Sequence, residues 1–194
     1  IMQRLKEETA QAHRETEQFS RGEEIMSRRL NKAGYIDILL KNYQLHQHFE
    51  PALLAMEGLN KLFAGQIKER MRTESLQADL RAMNAEYQSF EGELPLPQSI
   101  AQALGCMYVL EGSTLGGAVI LRQLQQIPVI NEFAAFSFYG FYGKELGKKW
   151  QEFGGILTNF AQDAAKEEEV VAFAKTTFEA ARAIFSQTIE RVES

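Results

Sequence analysis

Prolines are nearly absent from this chain: of four, three fall in Leu94-Pro95-Leu96-Pro97 and Ile127-Pro128, and the fourth is Pro51. Proline is the residue that a helix interior tolerates least, so long stretches are free to be helical. The spacing of apolar residues fills them with helices. It predicts a first helix from Met2 to about Phe19, with Leu5, Thr9, Ala12 and Thr16 turned inward and an end near Arg21-Gly22. Asn31 can cap a second, long amphipathic helix through Tyr35, Ile36, Leu39, Leu40, Tyr43 and Phe49, bending at Pro51. Leu62, Ile67, Met71, Leu76 and Leu80 repeat the pattern over Leu62 to Met83, and a loop follows over Glu91 to Pro97. Gln98 to about Gln126 is the most apolar helix and the richest in glycine. After a turn at Pro128, the aromatic-rich stretch Phe133 to Tyr142 leads into Gly143 to Ala164. A last helix is expected from about Glu167 to Val192, its opening glutamates favoured by the positive end of the helix dipole. With no β-alternation of useful length and no internal repeat, the expectation is one all-α domain over 1–194, of six or more helices.

At 194 residues, 45% of them hydrophobic and 24% charged, the chain has the balance of a globular protein. Its core is large enough to hold a closed pocket. The net charge of −5 and the pI near 5.4 argue against a nucleic-acid partner, which would call for a basic stripe. A single cysteine, Cys106, rules out an internal disulfide framework and fits a reducing cytoplasm. No apolar run approaches the roughly 18 residues of a membrane span, and Ile1 to Thr16 is charged rather than signal-like. The expectation is a cytoplasmic protein without a membrane partner.

A di-iron carboxylate bundle needs paired Glu-x-x-His signatures. Ala10, Tyr43 and Leu45 stand three before the three histidines, so that class is excluded. His46 and His48 point about 200° apart on a helix, cannot chelate one metal, and read as surface or partly buried residues. The glycines of Gly112-Ser113-Thr114-Leu115-Gly116-Gly117 fit neither a phosphate loop nor a dinucleotide fingerprint. The adjacent glutamates fan around their helices as solvated faces. His13 remains. Glu17 lies one turn later on its face and can accept the proton of the imidazole's far nitrogen, the arrangement a metal-bound histidine uses. Lys6, seven residues earlier, returns to the same face about 10 Å along the axis. Taken alone, this neighbourhood fits an exposed histidine on a charged helix better than a ligand. In the run Gly105 to Ile120, interior glycines cost about 1 kcal/mol each relative to alanine, which calls for a compensating role. Gly105, Gly112 and Gly116 fall near one face. Close helix packing and approach of a ligand both explain such a strip.

Both features match one family. Leu5-Lys6-Glu7-Glu8-Thr9-Ala10-Gln11-Ala12-His13, with Glu17, resembles the proximal helix L-K-x-x-T-x-x-x-H-x-x-x-E of the haem oxygenases. Tyr108-Val109-Leu110-Glu111-Gly112-Ser113-Thr114-Leu115-Gly116-Gly117 is similar to the glycine-rich distal helix of bacterial members. Tyr142-Gly143-x-x-x-Gly147-x-x-Trp150-x-x-Phe153 is similar to the bacterial branch, especially the oxygenases that supply biliverdin to bacterial phytochromes. The resemblance implies an all-α bundle with haem, both cofactor and substrate, between the first helix and a kinked distal helix. It implies that a ferric hydroperoxide attacks a meso carbon, releasing biliverdin, CO and Fe²⁺ with consumption of O₂ and of electrons from an external donor, a reductase or ferredoxin. A downstream biliverdin acceptor is a further implied partner.

By the same resemblance His13 is the axial iron ligand, a milder donor than a thiolate, and Glu17 orients it. Gly112 and Gly116 crowd the bound dioxygen, Gly117 completes the bare strip, and backbone-held water delivers protons. Lys6 matches a lysine that contacts a propionate in the mammalian branch; Tyr108, Lys149 and the neighbouring Lys148 are candidates to complete the set. Ala10 stands where that branch has a second basic residue. Ser113 stands at or near its distal aspartate, and Glu111 points elsewhere on helical geometry. Two rivals share the architecture: a binding protein that carries haem intact, and a thiaminase-like enzyme using Cys106, which the sequence places in the core without a nearby base.

Overall fold

The computed structural model describes residues 1–86 and 89–187. Its helices are α1 (Met2–Glu8), α2 (Ala10–Glu17), α3 (Gly22–Met26), α4 (Lys32–Ala55), α5 (Glu57–Leu62), α6 (Thr73–Ala82), α7 (Ile100–Leu124), α8 (Pro128–Asn131), α9 (Leu146–Phe160) and α10 (Ala164–Phe185). Short 3-10 turns stand at Ile67–Arg70 and Gly143–Glu145. No strand occurs among the described residues, as the absence of alternation leads one to expect.

α1 and α2 form one rod interrupted only at Thr9. The Thr9 N–H donates to the Leu5 carbonyl and the His13 N–H to the Thr9 carbonyl, both at 2.9 Å, so the i→i−4 ladder passes through the break. Asn31 does cap α4, its Oδ1 accepting the Gly34 N–H at 2.7 Å, and α4 continues through Pro51 to Ala55. The expected helix over Leu62 to Met83 is instead three pieces. Ala64 (φ 52°) and Gly65 (φ 82°) turn left-handed after α5, and the Gly65 N–H closes back on the Asn60 carbonyl at 2.9 Å, a helix stop. The last helix starts earlier than its glutamates suggest, because the Asp163 side chain caps it through the Lys166 N–H. The remainder of that expected helix, 188–192, lies outside the described residues.

The core has two adjoining parts. One gathers Leu5, the second half of α4, the first half of α7, Phe153 and Leu157 of α9, and the inner face of α10. The other gathers the first half of α4, Leu76 and Leu80 of α6, Leu124, Ile127, Ile130, Phe136 and Phe138. α7 bridges them. Its buried residues run from Ala101 to Glu111, after which only Gly117 and Leu124 are buried. α7 also corrects one sequence expectation: it is long and apolar enough to cross a membrane, with mean hydropathy 1.5 over its best window. Of that window 44% is buried, and the first half of α7 fills the core.

Candidate active site

Three helices run in the same direction and set the level of the site. Arg4 pairs with Glu168, Glu8 with Lys175 and Glu15 with Arg182, so residue numbers rise together along α1–α2 and α10. The Ser99 hydroxyl donates to Glu169 at 2.6 Å and the Cys106 thiol meets Thr177, so α7 rises alongside α10 as well. The Tyr108 hydroxyl lies beside Thr9, across from α7 to the first rod. One turn beyond that contact stand His13 on α2 and Gly112 on α7, and one turn further Glu17 and Gly116.

His13 is held but not covered. Its side chain is 56% exposed, its ring meets Phe178 edge-on at 5.7 Å, and Nδ1 lies 3.4 Å from a Glu17 carboxylate oxygen. Nε2 is therefore the nitrogen left to meet a metal. The Thr16 hydroxyl, donating to the Ala12 carbonyl at 2.9 Å and reaching the Phe178 carbonyl at 3.5 Å, locks this turn onto α10. Among the described residues no three His, Cys, Asp or Glu side chains converge, so His13 would offer a metal one protein bond. Past Glu17 opens a broad groove lined by Arg21, Asp37, Lys41 and Phe185, whose charges are already paired: Asp37 lies 3.0 Å from Arg21 and 3.1 Å from Lys41.

The glycines of α7 separate into different jobs. At Gly105 a Cβ would press into the Val170 carbonyl and lie 3.0 Å from the Ala174 nitrogen, so this glycine is where α10 packs on α7. At Gly112 a Cβ would meet only the edge of the Trp150 indole, at 3.7 Å. At Gly116 it would meet nothing within 4 Å. Leu115 (43%) and Val119 (52%), on the same stripe, are exposed large apolar side chains. Gly117 is buried against the Tyr139 ring, 3.4 Å from its Cβ position, and so faces packing rather than the open strip. A flat apolar surface without side chains thus stands open at the level of a half-exposed imidazole.

The charged candidates differ in availability. Lys6 is exposed and enters no ion pair among the described residues. Lys149 is drawn to Glu69 at 3.6 Å and Glu152 at 3.9 Å, while Lys148 is 69% exposed beside Glu145. Tyr108 is half-buried, and burial raises its hydroxyl's pKa.

Behind the strip lies a buried polar layer. Ser113 donates its hydroxyl to the Leu110 carbonyl at 2.7 Å and accepts from Arg72 at 3.2 Å. Glu111 does point elsewhere: it takes Arg70 at 3.1 Å and the Tyr142 hydroxyl at 2.8 Å, and burial raises its carboxyl pKa against those partners. His46 corrects the expectation of an outer histidine. It is 2% exposed, burial lowers its pKa against the pull of Glu50, and its Nδ1 meets Glu50 at 2.7 Å. Arg70, Arg72, Glu50 and Tyr139 carry no sequence signal as parts of a site. Cys106 is a core residue whose burial pushes the thiol pKa well up, which removes the thiolate that a thiaminase-like mechanism requires.

The family model described as heme oxygenase matches residues 1–187. The chain is 30% identical to the heme oxygenase of Xanthomonas campestris pv. campestris over 145 residues, 74% of this chain and 84% of that protein. It is 29% identical to heme oxygenase PigA of Pseudomonas aeruginosa over 173 residues, covering 88% and 82% of the two. Two solved structures share the fold. The NO- and CO-bound heme oxygenase of Neisseria meningitidis superposes with TM-score 0.72 at 23% identity, covering 94% of this chain and 88% of that one. Heme oxygenase of Leptospira interrogans gives 0.75 at 19%, covering 94% and 96%.

Proposed function

The chain belongs to the haem oxygenase family, and on that premise we propose which of its residues do the family's work of opening haem to biliverdin. Haem is the substrate and supplies the iron and the reactivity toward O₂ that oxidises its own macrocycle. His13 is the protein ligand, through Nε2, and Glu17 holds the ring's tautomer and orientation through Nδ1. Neutral imidazole is the ligand form, so Glu17 acts by orientation rather than by taking the proton away.

Gly112 and Gly116 let the porphyrin plane lie flat against the α7 backbone, with Leu115 and Val119 covered on binding. Ser113 offers a hydroxyl next to Gly112. Lys6 and the Tyr108 hydroxyl meet propionates from the first rod and from α7; Lys149 joins them only by leaving Glu69 and Glu152, and Lys148 is the freer cation. The whole chain acts as a single domain, in the cytoplasm, with O₂ and electrons from a reductase or ferredoxin, and passes biliverdin to an acceptor.

One observation carries this reading: a half-exposed histidine and a side-chain-free helix face stand open at the same level of two parallel helices. Aerobic turnover of the haem-loaded protein with a chemical reductant tests it. The Soret band is expected to give way to a biliverdin spectrum, and haem that remains intact under turnover overturns it.

A further inference from the structure

Arg72 reaches α7 from behind. It follows the Ile67–Arg70 turn, is 2% exposed, and lays its guanidinium 4.9 Å above the Phe138 ring. Its Nη2 donates to the Leu110 carbonyl and, at 3.2 Å, to the Ser113 hydroxyl. Among the described residues no carboxylate lies within ion-pair distance of it. The nearest candidate, Glu50, commits its oxygens elsewhere: to the Arg72 backbone N–H at 2.6 Å, the Thr73 N–H at 3.1 Å, the Thr73 hydroxyl at 2.5 Å and His46. Glu111 is occupied by Arg70 and Tyr142.

A buried cation without a bonded carboxylate costs several kcal/mol. Packing alone would be served better by an apolar side chain. The groups facing Arg72 are Glu50 and His46 from α4, Glu111 and Ser113 from α7, and Tyr139 and Tyr142 from the segment after α8. Of its two direct side-chain or carbonyl partners, Ser113 is exposed and follows Gly112 directly in α7. The positive charge therefore stands one hydrogen bond behind the strip that the glycines leave bare.

We propose that Arg72 is an electrostatic positioning residue of the haem slot: it fixes the Ser113 hydroxyl and the Leu110 carbonyl, and places positive potential on the ligand side of bound haem. This rests on the haem-binding reading above. Such a preorganised potential favours ligands that gain negative charge, without reorganisation at the moment of reaction.

The test uses the haem complexes of the wild type, Arg72→Lys, Arg72→Gln and Ser113→Ala. Two readouts respond to potential rather than to fold: the C–O stretching frequency of the ferrous CO complex and the acid–alkaline spectral midpoint of the ferric complex. Positive potential strengthens back-donation and lowers the stretch. Arg72→Gln is expected to raise the stretch, and to raise the midpoint by about one pH unit, the effect of one charge across roughly 10 Å at an effective dielectric near 20. Arg72→Lys is expected to stay near the wild type, and Ser113→Ala to shift both in the same direction by less. Unchanged values in Arg72→Gln, or equal shifts in the Lys and Gln variants, overturn the proposal. Should Arg72→Gln fail to fold, Ser113→Ala, at an exposed position, decides: no shift there overturns it. A wild type that forms a histidine-ligated CO complex upholds the haem-binding reading whatever Arg72 does, and one that forms none overturns both.

Discussion

The two halves of α7 use the same residue type for opposite purposes. Up to Glu111 the helix is buried, and Gly105 is the point where the α10 backbone comes so close that no side chain fits. From Gly112 onward the same face is open, and at Gly116 a side chain would meet nothing. In the closed half a glycine serves stability, while on the open face Gly116 works against it, forgoing helix propensity with no contact in return. What distinguishes them is α10, which covers the first half and leaves the second open.

Substitutions that treat both halves alike should therefore have effects of opposite sign. Gly105→Ala is expected to lose about 2 kcal/mol of stability, the cost of overpacking against backbone that cannot yield. Urea denaturation measures it, and an unchanged midpoint would mean that α10 is not so close. Cys106→Ala, also in the closed half, is expected to lose about 1 kcal/mol through the cavity left in the core, with haem turnover intact. Loss of turnover there would return the thiol to consideration.

The polar layer behind α7 gives a pH test. Burial lowers the pKa of His46, so on acidification the unfolded chain takes up its proton first. Stability from this group is full above the ordinary histidine value near 6.5 and falls as pH drops below it. Glu111 and Asp79, raised by burial, work the other way, because the folded state binds their protons first. The difference between the wild type and His46→Gln isolates the histidine, and parallel pH profiles would show that His46 is not held neutral. The smallest effect belongs to the open half. Gly116→Ala is expected to gain about 0.5–1 kcal/mol of stability while slowing haem turnover. A loss of stability would mean that Gly116 is packed after all.

Much of this architecture is legible in the amino-acid sequence. Apolar spacing locates the helices, and the common face of Gly105, Gly112 and Gly116 follows from the helical period. What that period does not contain is the neighbour across the face. Packing and ligand approach therefore look alike in sequence, and the position of α10 separates them. The break in Leu62 to Met83 has its signal in Ala64-Gly65, masked by apolar spacing that happens to continue on both sides. Arg72, Glu50 and His46 are illegible for a different reason. Each is ordinary in its own segment, and their meaning comes from contacts across 38 and 22 residues that only the fold creates. His13 with Glu17 is legible as a pair, and the structure adds that the pair is exposed.

The central claim is that His13 ligates haem against the open half of α7, and axial ligation tests it most directly. Haem titrated into the wild type should give the spectrum of a histidine-ligated complex. His13→Ala should lose that spectrum and recover it with added imidazole, since the exposed side chain can be removed without disturbing the fold. A His13→Ala protein that keeps histidine ligation without imidazole would contradict the assignment and move the iron to another residue.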